Sequence, residues 1–380
     1  MASVKLIKFL DRYVGSFICL ILSFFPSKIK KSGYKKILLI QLWGLGETVL
    51  SLPAIKELRQ RYKNSIIDIV TTGRVKDVFY NNKSISSIKV VNLNPFSIKW
   101  FILKNFRKYD IAIDMEEYLN ISAIIAFYAG NERIGYSHGI RSRLYTKKIL
   151  YNDGQHVSQA FMDLLKPLGI DKKAKNLERL NYSEKDKEKI DSLLEDNNIS
   201  KKDFIVGLGI GSAESVKERR WPKERFAAVA DYLIEKYNAK IIFIGSKEEE
   251  GLANETQNLM ENKDNSLNLA GKTSIREMFC LISICKLFIG NDAGPMHVAA
   301  AQRVRTIGLF GCNLPVRFAP FGKGNIAIRK ETGKPCINVH KGQVGRCKNG
   351  FENACVKKIK VEDVIQAAEK IIGKVKKGKK

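Results

Sequence analysis

Acidic residues are scarce in this chain: 39 Asp and Glu stand against 66 Lys and Arg in 380 residues, a formal net charge of +27. The imbalance is concentrated at the ends. Residues 1–36 hold eight basic residues and one acid, and residues 356–380 hold nine lysines and three acids, so 61 residues carry +13 of the excess. Charge gathered in this way attracts an anionic membrane or nucleic acid. Nucleic-acid binding also requires aromatic-studded basic patches or a known module, and the sequence has neither, so no nucleic-acid partner is expected. An ordinary membrane-spanning run is missing too: the uncharged stretch Tyr13 to Phe25 covers 13 residues, about 20 Å of helix against a hydrocarbon core of about 30 Å. No small-x-small cleavage site follows it, which argues against a signal peptide. Seven scattered cysteines, an odd number, argue against a disulfide framework and for a reducing compartment. Cys336, Cys347 and Cys355, with His340, offer four metal-ligand types, yet their spacing matches no zinc module, and no metal or cofactor is expected.

What the chain does have is length for two domains and 44% apolar residues to fill two cores. Continuous apolar runs at Lys36 to Leu42 and at Phe204 to Leu208 suit parallel strands buried on both faces. The first leads into Trp43-Gly44-Leu45-Gly46-Glu47, a glycine turn before a helix. Only half of the G-x-G-x-x-G dinucleotide fingerprint is present there, so NAD binding is weakly supported. The second leads into Gly209-Ile210-Gly211-Ser212, followed by Lys217, Arg219 and Arg220, a glycine loop with cations suited to a diphosphate, though it lacks P-loop spacing. Strands alternate with helices through both halves, which predicts two doubly wound α/β domains facing a cleft.

Leu287 to Ala301 reads as a strand that breaks at Asn291-Asp292-Ala293-Gly294 and re-enters a helix with Pro295 at its start. A helix N-terminus favours phosphate, whereas the Asp292 carboxylate repels it. A ligand with a diphosphate at one end and hydroxyls at the other reconciles the two, and a nucleotide-sugar has that form. Read alone, Asp292 serves equally as a helix cap. Glu47, at the carboxyl end of a first strand, is either a cap or a reacting carboxylate, and the Glu248–Glu250 run after Lys240–Gly245 either starts a solvated helix or accepts hydrogen bonds from a ribose. The basic stretch Arg133 to Lys148, with Arg133 and Arg141, reads as a loop that meets anionic groups or simply water.

Taken in order, residues 40–55, Arg-Arg-Trp-Pro-Lys-Glu-Arg-Phe (219–226) and Gly-Asn-Asp-Ala-Gly-Pro-Met-His-Val-Ala-Ala-Ala (290–301) resemble glycosyltransferase family 9, the heptosyltransferases of lipopolysaccharide core assembly. The resemblance runs from about residue 36 to about 373. It implies a GT-B architecture of two Rossmann-like domains and inverting transfer of a sugar, heptose from an ADP-activated donor, to an anionic lipid-linked oligosaccharide acceptor. On that resemblance Glu47 stands where the family usually carries an Asp proposed as catalytic base, and Asp292 matches the aspartate that holds the donor sugar. Ala293, Gly294, Pro295 and His297 match its neighbours on the diphosphate side. Arg219 stands where a phosphate-binding Lys is usual, and Glu249, or less closely Glu248, matches a ribose contact. Lys217 and Ser212 fall in the same donor loop, while Gly46, Arg133 and Arg141 are acceptor-side candidates. Two departures bear on the donor: Glu47 is one methylene longer than Asp, and Ala293 replaces a Thr or Ser hydroxyl.

The expected organisation is a basic, apolar helix at 1–34 lying in the membrane surface, an acceptor-side domain at 35–180, a nucleotide-sugar domain at 181–355, and a helix with a Lys-rich tail at 356–380. This describes a cytoplasmic enzyme held peripherally at the inner face of a bacterial cell membrane. A nucleotide-sugar epimerase of the same architecture and a basic nucleic-acid-binding protein are the competing readings.

Overall fold

A computed structural model describes residues 9–25, 33–331, 337–338, 343–344 and 353–377. The lysines at 5, 8, 28, 30 and 31, the candidate ligands Cys336, His340 and Cys347, and Lys379 and Lys380 of the tail lie outside the described residues. The chain divides into two compact units, Met1–Lys175 with Asn338–Gln343, and Asn176–Ile337 with Val344–Lys380.

In the first unit a π-helical turn, Asp11–Gly15, runs into α1 (Ser16–Leu22). There follow β1 (Lys36–Ile40), α2 (Leu45–Arg61), β2 (Ile66–Thr72), β3 (Ser87–Val91), α3 (Pro95–Asn105), β4 (Tyr109–Asp114), α4 (Asn120–Ala129), β5 (Gly130–Tyr136), β6 (Lys147–Ile149) and α5 (Val157–Asp163). The sheet is parallel, in the order β3-β2-β1-β4-β5-β6. Ile37 to Ile40 are buried because β1 is central and helices cover both faces, the environment that a run without polar alternation requires. The order reverses direction between β1 and β4, which makes the carboxyl ends of these two strands the switch point where open α/β sheets bind ligands.

Residues 9–25 pack onto this unit. Cys19 and Leu22 join Leu38, Ile40, Ile98, Phe101 and Phe127 in one core cluster. Leu119, the N-cap residue of α4, has no side-chain oxygen to offer the helix. Asp11 takes over that role from 109 residues away, accepting the amides of Asn120 at 3.0 Å and Ile121 at 2.8 Å. No helix among the described residues is long and apolar enough to cross a membrane.

The second unit holds α6 (Glu184–Glu195), β7 (Phe204–Gly209), α7 (Lys223–Tyr237), β8 (Ala239–Phe243), α8 (Glu250–Asn258), β9 (Ser266–Asn268), α9 (Ile275–Ile284), β10 (Leu287–Asn291), α10 (Gly294–Ala301), β11 (Arg305–Phe310), α11 (Pro315–Phe318), β12 (Ile326–Arg329), α12 (Ala354–Lys357) and α13 (Val361–Lys377). Its sheet is again parallel, in the order β12-β11-β10-β7-β8-β9. Numbered within the unit, this is the topology of the first sheet read from the other edge, with its switch point between β7 and β10. Val364, Ala368, Ile371 and Ile372 of α13 belong to the same core cluster as Val229 and Leu233 of α7, so the C-terminal helix is part of this unit's core. The two units are the pair of Rossmann-like domains of the GT-B architecture.

Candidate active site

At the first switch point, Gly44 begins the turn after β1 with φ +80°, a conformation that costs glycine little. A Cβ at that position would also overlap the carboxylate of Glu47, which folds back from the first turn of α2 over the glycine. Glu47 is half-buried, and Gly46 beside it is buried. The neighbouring strand end, Asp114 to Glu117, supplies three more acids. Oε1 of Glu116 accepts the amides of Leu42 at 2.5 Å and Trp43 at 2.8 Å and the side-chain amide of Gln41 at 3.2 Å, tying the end of β4 to the turn that carries Glu47. Burial, opposed by the Leu42 amide and reinforced by the charge of Asp114, pushes the Glu116 carboxyl up to about 8. The phenol of Tyr118 is raised well above its ordinary range, first by burial and then by the charges of Glu116, Glu47, Glu117 and Asp11, which records how closely these acids gather.

Asp114 anchors the cluster from beneath. Its Oδ2 accepts from Tyr145 at 2.6 Å, Ser122 at 2.8 Å and Nη2 of Arg141 at 2.8 Å. Arg141 is 2% exposed, its Nε donates to the Tyr145 hydroxyl at 2.9 Å, and its Nη1 is enclosed with no hydrogen-bond partner among the described residues. Arg133 is 1% exposed. It lies within β5, lays its guanidinium over the Phe127 ring and donates from Nε to the Leu144 carbonyl at 2.5 Å. The loop reading of these two arginines is therefore corrected: Arg133 lies in a strand and Arg141 in a short 3-10 helix, both inside the unit and held by carbonyls, a carboxylate and aromatic faces.

At the second switch point, Asn291 ends β10 and joins three segments that are far apart in sequence. Its side-chain amide donates to the Ile210 carbonyl at 2.7 Å, and its oxygen accepts the Trp221 amide at 3.0 Å. The loop after β7, the cationic turn and the Asp292 turn are thereby fixed to one another. Sequence reasoning placed Asn291 in the motif without a role; its one signal was a polar amide at the end of a buried strand. Arg220 adds a bond from Nη2 to the Ser212 carbonyl at 2.7 Å, and Trp221 packs edge-on against Phe226 while its indole donates to the Ile359 carbonyl at 2.9 Å.

Asp292 is 2% exposed and does not cap α10, whose N-cap is Ala293 with no side-chain bond to the helix. Its Oδ2 instead accepts from Nδ2 of Asn313 at 2.9 Å and lies 3.3 Å from Nη1 of Arg219, which also donates to the Asp292 carbonyl at 3.1 Å. Asn313 is a second residue that sequence reasoning missed. The Arg219 guanidinium answers the apparent conflict between a carboxylate and a phosphate site, because it adjoins the acid and remains partly exposed. In the first turn of α10 Pro295 has no N–H, and the Met296 amide turns onto the Ala293 carbonyl at 3.2 Å, which leaves Gly294 to carry the polarity of that terminus. His297 is buried in the same helix, its ring centroid 6.2 Å from that of Phe318.

The remaining candidates surround this turn. The Ser212 hydroxyl donates to the Val216 carbonyl at 2.9 Å and so braces the loop from within. Lys217 is exposed in the turn Glu214–Arg219. Glu249 accepts the Ser246 amide at 2.7 Å in a capping box, and its carboxylate lies directly over Gly211, close enough to leave no room for a Cβ there. Glu248 is exposed. Among the described residues no group of three or more metal-ligand side chains is arranged to hold an ion.

Comparison with known proteins identifies the family and the fold. The model of glycosyltransferase family 9 (heptosyltransferase) matches residues 103–344. The chain is 25% identical over 343 residues to lipooligosaccharide heptosyltransferase 2 of Campylobacter jejuni, covering 86% of this chain and 95% of that protein. It is 28% identical over 335 residues to lipooligosaccharide heptosyltransferase 2 of Haemophilus influenzae, covering 80% and 91%. Among solved structures, a glycosyl transferase family 9 protein from Veillonella parvula superposes with a TM-score of 0.79 at 25% identity, over 91% of this chain and all of that one. Escherichia coli ADP-heptose LPS heptosyltransferase II shares the fold at a TM-score of 0.71 and 20% identity, over 90% of this chain and 99% of that one. A family match over well more than half the chain settles the choice between transferase and epimerase: this chain belongs to glycosyltransferase family 9, the heptosyltransferase family of lipopolysaccharide core biosynthesis.

Proposed function

We propose that the enzyme moves heptose from an ADP-activated donor, with inversion, onto a lipopolysaccharide core or related lipid-linked glycan at the inner face of the cell membrane. The observation that carries this reading is the placement of one carboxylate at the switch point of each sheet, Glu47 after β1 and Asp292 after β10, the second held by Arg219 at 3.3 Å. In the proposed reaction the acceptor hydroxyl oxygen attacks the anomeric carbon, and the bond from that carbon to the diphosphate oxygen breaks. The hydroxyl proton passes to Glu47, and ADP leaves with the bonding electron pair. Asp292 accepts hydrogen bonds from the sugar hydroxyls, Arg219 and the Gly294 amide steady the departing diphosphate, and Glu249 takes the ribose. The names of the relatives support the donor: the E. coli protein that shares this fold is an ADP-heptose transferase. Residues 9–25, with their exposed aromatic face and the lysines that flank them in sequence, are proposed to rest on the membrane that holds the acceptor.

Thermal unfolding against a panel of nucleotide-sugars tests the donor, since a ligand that binds only the folded state raises the midpoint. ADP-heptose is expected to give the largest rise, and transfer to a heptose-free core lipid is expected to follow. A larger rise with a UDP- or GDP-sugar would overturn the donor assignment.

A further inference from the structure

Helix α3 (Pro95–Asn105) is apolar on two opposite faces. Ile98 and Phe101 point into the core cluster beneath. Phe96, Trp100 and Leu103, at helical spacing on the other side, are 88%, 61% and 61% exposed, and Phe106 at the C-cap is 59% exposed. A helix apolar on two opposite faces buries only one of them here, so the outer face lacks a partner among the described residues. Its surroundings say what partner it suits. From Asn94 to Lys108 the sequence contains no acid and four bases. Lys99, Lys104 and Lys108 are exposed, with no carboxylate bound to any of them among the described residues, and the Lys104 ammonium lies 4.7 Å from the Trp100 ring centroid. The helix shares its core cluster with Cys19 and Leu22 of α1, so α1 and α3 cover the same face of the sheet. On α1 and the turn after it, Phe17 and Phe24 are 63% and 78% exposed, while Asp11, the single acid of residues 1–36, is spent inward on the amides of α4.

We infer that α3 is a second membrane-contacting element: its Phe96, Trp100, Leu103 and Phe106 enter the interface of an anionic bilayer, with Lys99, Lys104 and Lys108 against the headgroups. This rests on the proposal that the acceptor is lipid-linked. Aromatic and Leu side chains on one side and lysines at the rim are the composition of helices that lie in the headgroup region, and the absence of acid from Asn94 to Lys108 removes a repulsion that anionic lipid would otherwise meet. A second copy of the chain would instead bring its own lysines against these, the same charge facing itself.

The test uses the full chain and vesicles of equal parts phosphatidylglycerol and phosphatidylcholine, with pure phosphatidylcholine vesicles alongside. The quadruple variant Phe96→Ser/Trp100→Ser/Leu103→Ser/Phe106→Ser is expected to lose partitioning to the mixed vesicles by roughly tenfold or more while its melting temperature holds, because all four side chains are exposed. Brominated phosphatidylcholine in the mixed vesicles is expected to quench the wild-type tryptophan emission, and Trp100→Phe to remove that quench while still binding. Unchanged partitioning of the quadruple variant, or a quench that survives Trp100→Phe, would overturn the assignment. If only Phe17→Ser/Phe24→Ser releases the protein, α1 is the anchor and α3 is not. A concentration-dependent dimer in sedimentation that the quadruple variant abolishes would give the face to a second copy and also overturn the proposal. No sugar transfer is read in this experiment, so a wrong donor leaves its outcome untouched.

Discussion

The two switch points share a topology and differ in how they use charge. In the first unit the acids at the strand ends are turned inward: Asp114 is clamped by Arg141, Tyr145 and Ser122, and Glu116 is closed around by the amides of residues 41–43. Among them Glu47 is the carboxylate that stands on a helix start beside a positive-φ glycine. In the second unit the equivalent position carries one acid with a cation beside it, and an amide hub, Asn291, holds the surrounding loops. A buried acid cluster raises proton affinity, as suits a site that must accept a proton, whereas a carboxylate set next to a guanidinium suits hydroxyls adjoining a phosphate.

The sharpest way to break that comparison is to neutralise one carboxylate on each side. Glu47→Gln is expected to lower transfer by about 100- to 10,000-fold, the worth of a general base, while ADP-heptose still raises the melting temperature. Asp292→Ala is expected to show the opposite pattern at low donor concentration, with the donor-induced rise lost. If both variants fail in the same assay, the division of labour between the units is wrong; retained turnover in Glu47→Gln alone would sink the base assignment.

Next in size is the strut beneath the first site. Arg141→Met removes the partner of Asp114 where both side chains are 2% exposed or less. Breaking a fully buried ion pair costs about 3–5 kcal/mol, so urea unfolding is expected to shift by that amount. Were Arg141 an acceptor contact instead, the stability would hold and the acceptor KM would rise.

How much of this could be read from the sequence depended on distance along the chain. The apolar runs of β1 and β7 and the glycine turns after them are local signals, and each became a central strand with its turn at a switch point. The Asp114–Arg141–Tyr145 network was invisible because its members are 27 and 31 residues apart, and the cap that Asp11 provides for α4 spans 109. Arg133 misled for a related reason: a cation among glycines and aromatics reads as a loop, whereas its aromatic neighbour Phe127 and the carbonyl of Leu144 make it a satisfied interior group. From its own turn Asp292 served equally as a cap or a ligand contact, because Arg219 and Asn313, which hold its carboxylate, come from other loops.

The same swap in each unit, glutamate to glutamine, separates the two designs at finer scale. Glu116 has its folded-state carboxyl pushed up to about 8. Between the unfolded value near 4.5 and that value the folded chain binds more protons than the unfolded one, so this group's stabilisation is complete below about pH 4.5 and is lost as pH rises toward 8. Glu116→Gln keeps an oxygen for the Leu42 and Trp43 amides and cannot ionise. Chemical unfolding from pH 5 to 8 is therefore expected to lose a downward slope of at most about 1.4 kcal/mol per pH unit. An unaltered slope would mean that the charge at this site is already ionised in the folded chain.

Glu249, which follows β8 and reaches over the loop after β7, gives the smallest and most discriminating effect. It accepts the Ser246 amide at 2.7 Å and covers Gly211, so as a cap alone it needs only an oxygen, which glutamine retains. Stability in Glu249→Gln is expected to stay within about 0.5 kcal/mol, the range of a surface change that preserves its bonds. A ribose contact needs more than an oxygen, because hydrogen bonds to a charged acceptor are roughly twice as strong as neutral ones. Titration calorimetry with ADP is therefore expected to show a loss of affinity on the order of fivefold, about 1 kcal/mol. Unchanged ADP affinity together with unchanged stability would leave Glu249 as a helix cap beside the donor loop and remove it from the ribose.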